Sequence, residues 1–170
     1  IGDEGRGMAT IIEMATFTRL DCALSSAGFV RQAFAQALHY SRNRHAFGKA
    51  LADQPLMTEL LADMALESEA ATLLAMDLAT HFGSTTALDT AWRRVMTPVA
   101  KFWNCKRAVG LTGEAMEVFG GNGYVETGPM GRWFREAPVN SSWEGAGNVM
   151  GLDVLRAVSR NPDDAHLVLD

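Results

Sequence analysis

Leu24-Ser25-Ser26-Ala27-Gly28-Phe29-Val30-Arg31-Gln32-Ala33-Phe34-Ala35-Gln36-Ala37-Leu38 is the stretch whose spacing decides the fold. Leu24, Ala27, Val30, Phe34, Ala37 and Leu38 recur three or four residues apart, which puts them on one helix face. The pattern predicts a long helix from about Thr18 to Arg44, preceded by a short apolar helix over Met8 to Phe17. Gly28 and the serines lower its intrinsic stability but permit close contact with a neighbouring helix. The run Ser41-Arg42-Asn43-Arg44-His45 suits a helix C-terminus, where the dipole favours positive charge, and Phe47-Gly48 stops the helix.

Outward from that stretch, Gln54-Pro55 starts another helix, with proline in the first turn where its missing N–H costs nothing. Met57, Leu60, Leu61, Met64, Ala71 and Leu78 form its buried stripe, opposite Glu59, Asp63 and Glu67. After the loop Gly83-Ser84-Thr85, a further helix spans about Ala87 to Phe119, with Val95, Val99, Phe102, Val109 and Met116 on one face. Pro98 predicts a kink in it, the alternative being a new helix capped by Thr97. Gly120-Gly121-Asn122-Gly123 ends it, and neither helix nor regular strand continues easily through that run. A short helix over Met130 to Glu136 follows, and a last one runs from about Gly147 through Val158 to the stop at Asn161-Pro162. Asp163 to Asp170 read as a frayed tail. No strand pattern stands out. The prediction is an all-α protein, a four-helix up-and-down bundle over residues 1–162 whose short loops favour antiparallel neighbours.

A chain of 170 residues suits one domain with a proper core, and no apolar run is long enough to span a bilayer. No signal-peptide pattern is present, and Ile1-Gly2-Asp3-Glu4-Gly5-Arg6-Gly7 reads like the middle of a longer protein. Cys22 and Cys105 lie far apart inside helical patterns, giving neither metal spacing nor a disulfide framework, so a cytoplasmic setting is expected. The formal charge of -5 argues against a dedicated nucleic-acid binder. His39 and His81 have no second ligand at helical spacing, and no Glu-x-x-His pattern exists, so no metal site is expected.

Three stretches carry chemistry. In Trp143-Glu144-Gly145-Ala146-Gly147-Asn148 a carboxylate lies between an indole and a glycine. Trp143 can exclude water, the setting that suits a glutamate to act as a base near neutral pH. Gly145 and Gly147 leave backbone space for a ligand, and Asn148 offers an amide as the next helix begins. The plainer reading is a helix N-terminal carboxylate that favours the dipole. Arg42, Arg44, His45 and Lys49 surround Phe47-Gly48, either as solvated helix-end charges or as an anion site gripped by Arg44. Gly120-Gly121-Asn122-Gly123 follows a helix C-terminus, so it is a helix stop or it binds a nucleotide through outward N–H groups or shape.

Four ordered motifs resemble the C-terminal helical domain of the acyl-CoA dehydrogenases. They are Tyr40-x-x-x-Arg44-x-x-Phe47-Gly48, then Ala115-Met116-Glu117-Val118-Phe119-Gly120-Gly121-Asn122-Gly123-Tyr124, then Arg135-Glu136-Ala137-Pro138-Val139, then Trp143-Glu144-Gly145. Gly2-x-Glu4-Gly5-x-Gly7 looks like the entry into that domain. Thr97-Pro98-Val99-Ala100-Lys101-Phe102 and Pro138 to Gly145 look closer to the adaptive-response, AidB-like branch.

The resemblance implies a parent subunit with an N-terminal helical domain and a middle β-domain besides this bundle. It implies FAD and an acyl-CoA substrate, with the FAD also touching a neighbouring subunit of a homodimer or homotetramer. An electron-transferring flavoprotein or similar acceptor would reoxidise the flavin. Glu144 stands where many members carry the base that removes the α-proton, and Arg19 matches an arginine that helps position it. Arg44, Phe47 and Gly48 match a segment that contacts FAD across the subunit interface, and Gly120 and Gly121 match a loop near its adenine half. Gln54, Glu117 and Asn148 fall at or beside flavin-contacting positions. Glu117 replaces a common glutamine, Ala146 a threonine and Trp143 a tyrosine, and Gln54 comes one residue early. The adaptive-response branch adds an alternative, a flavoprotein that binds nucleic acid in the alkylation-damage response. A purely structural oligomerisation module is the third reading.

Overall fold

The structure, a computed structural model, describes residues 2–169, so Ile1 and Asp170 lie outside it. Its first helix, α1 (Gly7–Asn43), is continuous, without the expected break near Phe17. No proline or glycine interrupts it there, and Thr18 donates back to the Ala15 carbonyl instead of capping a new helix. Phe17 meets the Phe82 ring edge-on at 5.3 Å, which steadies this first half from the side. A two-residue antiparallel pair follows, β1 (His45–Ala46) with β2 (Lys49–Ala50), the regular strand that the sequence pattern did not show. The helix α2 (Pro55–Thr80) starts at the proline as expected, and α3 (Ala87–Val118) continues through Pro98 as one element, not as a new helix capped by Thr97. Thr86 caps α3 by accepting from the Asp89 N–H, whereas the Thr97 hydroxyl is buried without a hydrogen-bond partner.

Three departures mark the C-terminal third. Gly120 (φ 58°) ends α3, yet a single turn, α4 (Gly121–Tyr124), forms within the glycine run. The short helix expected to end at Glu136 is α5 (Met130–Ser142), which passes through Pro138. Ala137 and Ser141 are buried one turn apart on it, and that packing outweighs the one hydrogen bond the proline removes. After α6 (Gly147–Arg160), the supposed frayed tail is a helix, α7 (Pro162–Leu169). Asp163 and Asp164 suit its N-terminus, Asn161 donates to Asp164 at 3.1 Å, and Ala165 is buried.

The protein is a helical bundle in which α1 lies against α2 and α3, while α5 and α6 share the fourth position against α3. Small residues make the central contact: Ala23, Ala33 and Ala37 of α1 and Ala100, Ala108 and Ala115 of α3 are fully buried. Of the α3 face read from sequence, Val95 is buried and Val109 and Met116 pack on the core, but Phe102 is exposed. Polar groups also lie on the buried face. Asn104 donates to the carbonyls of Ala23 and Ala71, at 3.3 and 3.0 Å, and so ties three helices together. No helix among the described residues is long and apolar enough to cross a membrane.

Candidate functional site

The turn from α5 to α6 contains Trp143, Glu144, Gly145 and Ala146. Glu144 (φ 58°) and Gly145 (φ 112°) are both left-handed, and among described non-glycine residues only Phe47 shares that state. Such a conformation costs roughly 1–3 kcal/mol and persists only where surroundings impose it. Here the surroundings are cations. Arg19 of α1 donates from Nε to the Glu144 carbonyl at 3.0 Å, and its guanidinium also meets Asp153 of α6 at 2.9 Å. Arg94 takes the other oxygen of Asp153 at 2.9 Å. From α3, the Lys101 ammonium donates to the Gly145 carbonyl at 2.7 Å and to the Asn140 carbonyl at 3.1 Å.

The backbone of the turn is thus held while the half-buried Glu144 carboxylate makes no hydrogen bond or ion pair among the described residues. Trp143 is 43% exposed and donates from its indole to Asn140 at 3.2 Å, so it does not by itself close Glu144 off from water. An added Cβ on Gly147 would lie 2.8 Å from Lys106 and 3.1 Å from Phe102, so glycine is what lets α6 start this close to α3. Asn148 is exposed in the first turn of α6. Beneath the turn, Lys101 is 1% exposed, and burial pushes its ammonium below the usual lysine range. Burial pushes the Cys22 thiol up to about 11 and raises Cys105 as well, so both stay protonated and inert at neutral pH.

A second group of residues gathers at the other end of the bundle. The β1–β2 hairpin turns through Phe47 (φ 55°) and Gly48 (φ 84°), and the Phe47 ring is 93% exposed. Gln54 braces the hairpin by donating to the Ala46 carbonyl at 3.2 Å. Beside it, a cleft of about 500 Å³ is lined by Tyr40, Arg44, Glu117, Gly120, Gly121 and Asn122, among others. Tyr40 stacks on Phe119 at 4.3 Å and its hydroxyl accepts from Asn122 at 3.3 Å, which joins the end of α1 to the end of α3. A Cβ added at Gly48, Gly120 or Gly121 would meet nothing within 4 Å, so this backbone faces open space. Arg44 is exposed and takes part in none of the ion pairs among the described residues.

The residues predicted from sequence therefore fall into two groups. Arg44, Glu117, Gly120 and Gly121 share the cleft, with Phe47, Gly48 and Gln54 beside it. Glu144 and Arg19 meet at the α5–α6 turn, with Asn148 next to it. Counting along α3 from Lys101 to Gly120 at 1.5 Å per residue puts the groups roughly 30 Å apart. Lys101, Arg94 and Asp153 escaped the sequence reading, because their partners lie 39 to 134 residues away. The one available signal for Lys101 was a cation amid the otherwise apolar run Val99-Ala100-Lys101-Phe102-Trp103. No cluster of three or more metal-ligating side chains exists among the described residues.

Residues 5–159 match the family described as acyl-CoA dehydrogenase, C-terminal domain. AidB of Escherichia coli (strain K12), provisionally named an acyl-CoA dehydrogenase, is 46% identical over 94% of this chain and 30% of its own length. Acyl-CoA dehydrogenase family member 11 of Caenorhabditis elegans is 37% identical over 94% of this chain and 27% of that protein. The Caenorhabditis elegans ACDH-11 structure, in complex with C11-CoA, superposes with a TM-score of 0.88 over 94% of this chain and 28% of the other. Butyryl-CoA dehydrogenase from Megasphaera elsdenii, 30% identical, gives 0.82 over 94% of this chain and 40% of the other. The chain spans well under half the length of these relatives.

Proposed function

This chain belongs to the acyl-CoA dehydrogenase family as its C-terminal domain, and on that premise we propose that its parent protein is an FAD-dependent enzyme that dehydrogenates an acyl-CoA thioester. Residues 1–162 would be the helical bundle that carries the base, completed by the N-terminal helical and middle β domains of the parent. The observation that carries this reading is the turn at Glu144, whose backbone is gripped by cations while its carboxylate remains unpaired.

A base that removes a proton from carbon needs a fixed position and a free lone pair. Arg19 and Lys101 supply the first through the carbonyls of Glu144 and Gly145. Asp153 supplies the second, because it occupies the Arg19 guanidinium that would otherwise pair with Glu144 and weaken it as a base. Glu144 then takes the α-proton of the thioester. Bound FAD would supply the acceptor for the hydride that leaves the β-carbon. The cleft and hairpin suit parts of that cofactor. Arg44 offers an unpaired fork for phosphate, Gly120 and Gly121 present open backbone, and Phe47 offers a bare ring for stacking. Glu117 adds a like charge, which favours contact with a sugar hydroxyl over phosphate. Gln54 and Asn148 would contribute amides.

The separation of roughly 30 Å between the cleft and Glu144 supports a homodimer or homotetramer in which each FAD is shared by two subunits. An electron-transferring flavoprotein or similar acceptor would drain the electrons, in the cytoplasm. Anaerobic titration of the full-length holoprotein with acyl-CoAs of graded chain length tests the proposal. Some thioester should bleach the flavin absorbance, and Glu144→Gln should abolish the bleaching. Retained bleaching in that variant would remove Glu144 from its role. The 46% identity to AidB favours one other reading, a flavoprotein of the adaptive-response branch that binds nucleic acid. Flavin that no thioester bleaches, together with DNA affinity that falls steeply as salt rises, would select it.

A further inference from the structure

Lys101 poses a physical question that the family assignment does not answer. Its side chain is fully buried, yet it has no acidic ion-pair partner among the described residues. Burying an unpaired ammonium is costly, and a methionine would fill the same space without that cost. What a methionine cannot do is donate. The two acceptors of Lys101 are carbonyls that lie on either side of the strained turn. Asn140 lies in the last turn of α5, where carbonyls lack helical partners and the dipole is negative. Gly145 follows Glu144 directly, in a left-handed conformation of its own.

We propose that Lys101 is a positioning residue for Glu144, whose ammonium draws the Asn140 and Gly145 carbonyls onto one point and so fixes the turn that carries the carboxylate. Arg19 grips the same turn from α1 through the carbonyl of Glu144 itself. Lys101 acts from α3, so the two cations register the turn against both central helices. The glycine at 145 is part of the device. Its φ of 112° is one that L side chains rarely adopt, and a Cβ there would stand 2.5 Å from the Met150 methyl, so glycine eases the carbonyl's approach to Lys101. Below the ammonium, Cys22 and Cys105 stay protonated, and Ser26 donates to the Cys105 sulfur at 3.2 Å. That floor is uncharged, so the hydrogen bonds of the cation go to the two carbonyls, while the Glu144 carboxylate and Arg19 act on it through space.

The catalytic half of this inference rests on the reading of Glu144 as the base, whereas the clamp itself does not. The test uses the full-length holoprotein with Lys101→Met and Lys101→Gln, the second keeping N–H donors without the charge. In Lys101→Met, amides of residues 143–148 should exchange with deuterium at least about tenfold faster, with α2 unchanged. The kcat for acyl-CoA should fall on the order of 100-fold, as for a reacting group displaced by about an ångström, with KM held within about threefold. In a Glu144→Gln background, Lys101→Met should cost little more, because both act through one group. Lys101→Gln should restore part of the protection and of kcat. Unchanged exchange at 143–148 would overturn the clamp. A kcat loss that adds in full to that of Glu144→Gln would overturn the positioning role. Faster loop exchange with unaltered kcat would uphold the clamp and overturn its positioning role, whereas the base itself is tested by Glu144→Gln alone.

Discussion

Phe47-Gly48 and Glu144-Gly145 are the same local device put to opposite uses. Each is a non-glycine residue held left-handed and followed by a left-handed glycine. At the hairpin the strain is borne by a two-residue ladder closed by the Leu51 N–H on the Arg44 carbonyl, by an amide from Gln54 and by the exposed Lys49 ammonium on the Asp53 carbonyl, and the ring stands almost wholly in solvent. At the α5–α6 turn it is borne by Arg19 and Lys101, and the side chain is half-buried. A hairpin tip that adapts to an incoming surface needs little internal bracing. A carboxylate that must meet one carbon–hydrogen bond needs a fixed frame. On the proposed function, the difference in bracing separates a group that would receive a partner from a group that would perform chemistry.

The glycines offer the largest test of that contrast. Gly145→Ala should destabilise the protein by about 2–3 kcal/mol, because the strain of φ 112° adds to displacement of the Met150 methyl and Val149. Gly48→Ala meets nothing within 4 Å and should cost only about 1 kcal/mol, the left-handed penalty alone. Urea unfolding of both variants reads the two numbers, and equal losses would erase the distinction. A smaller effect of opposite sign is expected at the tip. Phe47→Asn should stabilise by about 0.5–1 kcal/mol, since asparagine tolerates this backbone state, while flavin retention on gel filtration declines. Unchanged flavin content would detach the ring from the cofactor.

The junction between α2 and α3 serves as a control, since Asp89 and its partners hold it without left-handed residues. Hydrogen bonds from Ser84, Thr86 and His81 bring Asp89 down to about 2. A carboxylate lowered on folding stabilises above its unfolded value and loses that contribution as pH falls through the folded one. The contribution should therefore fade between pH 3.8 and about 2, and Asp89→Asn should flatten that limb of an acid-unfolding curve. The two left-handed turns should be indifferent to this change.

Much of the bundle was legible because core helices repeat at 3.6 residues, as Val30, Ala37, Leu61 and Met64 do. On α3, Val95, Val109 and Met116 were legible, but the alanines beside Asn104, Thr112 and Lys101 were not, since they carry no apolar period. Packing also overrode local signals. Pro138 did not stop α5, and a tail with two aspartates became a helix against α3 and α6. At the site, resemblance singled out Arg44, which lines the cleft, and Glu144, which lies at the strained turn. It could not find Lys101, Arg94 or Asp153, whose work is done on backbone and on one another across long sequence separations.

The central claim is that Glu144 is a held and unpaired base, and proton exchange tests it before any electron transfer. The full-length holoprotein would be incubated anaerobically with an α-deuterated acyl-CoA that it binds, and loss of deuterium to water followed by mass spectrometry. Wash-out by the wild type that disappears in Glu144→Gln and slows at least about tenfold in Lys101→Met is the predicted result. Wash-out at the wild-type rate in Glu144→Gln would contradict the account.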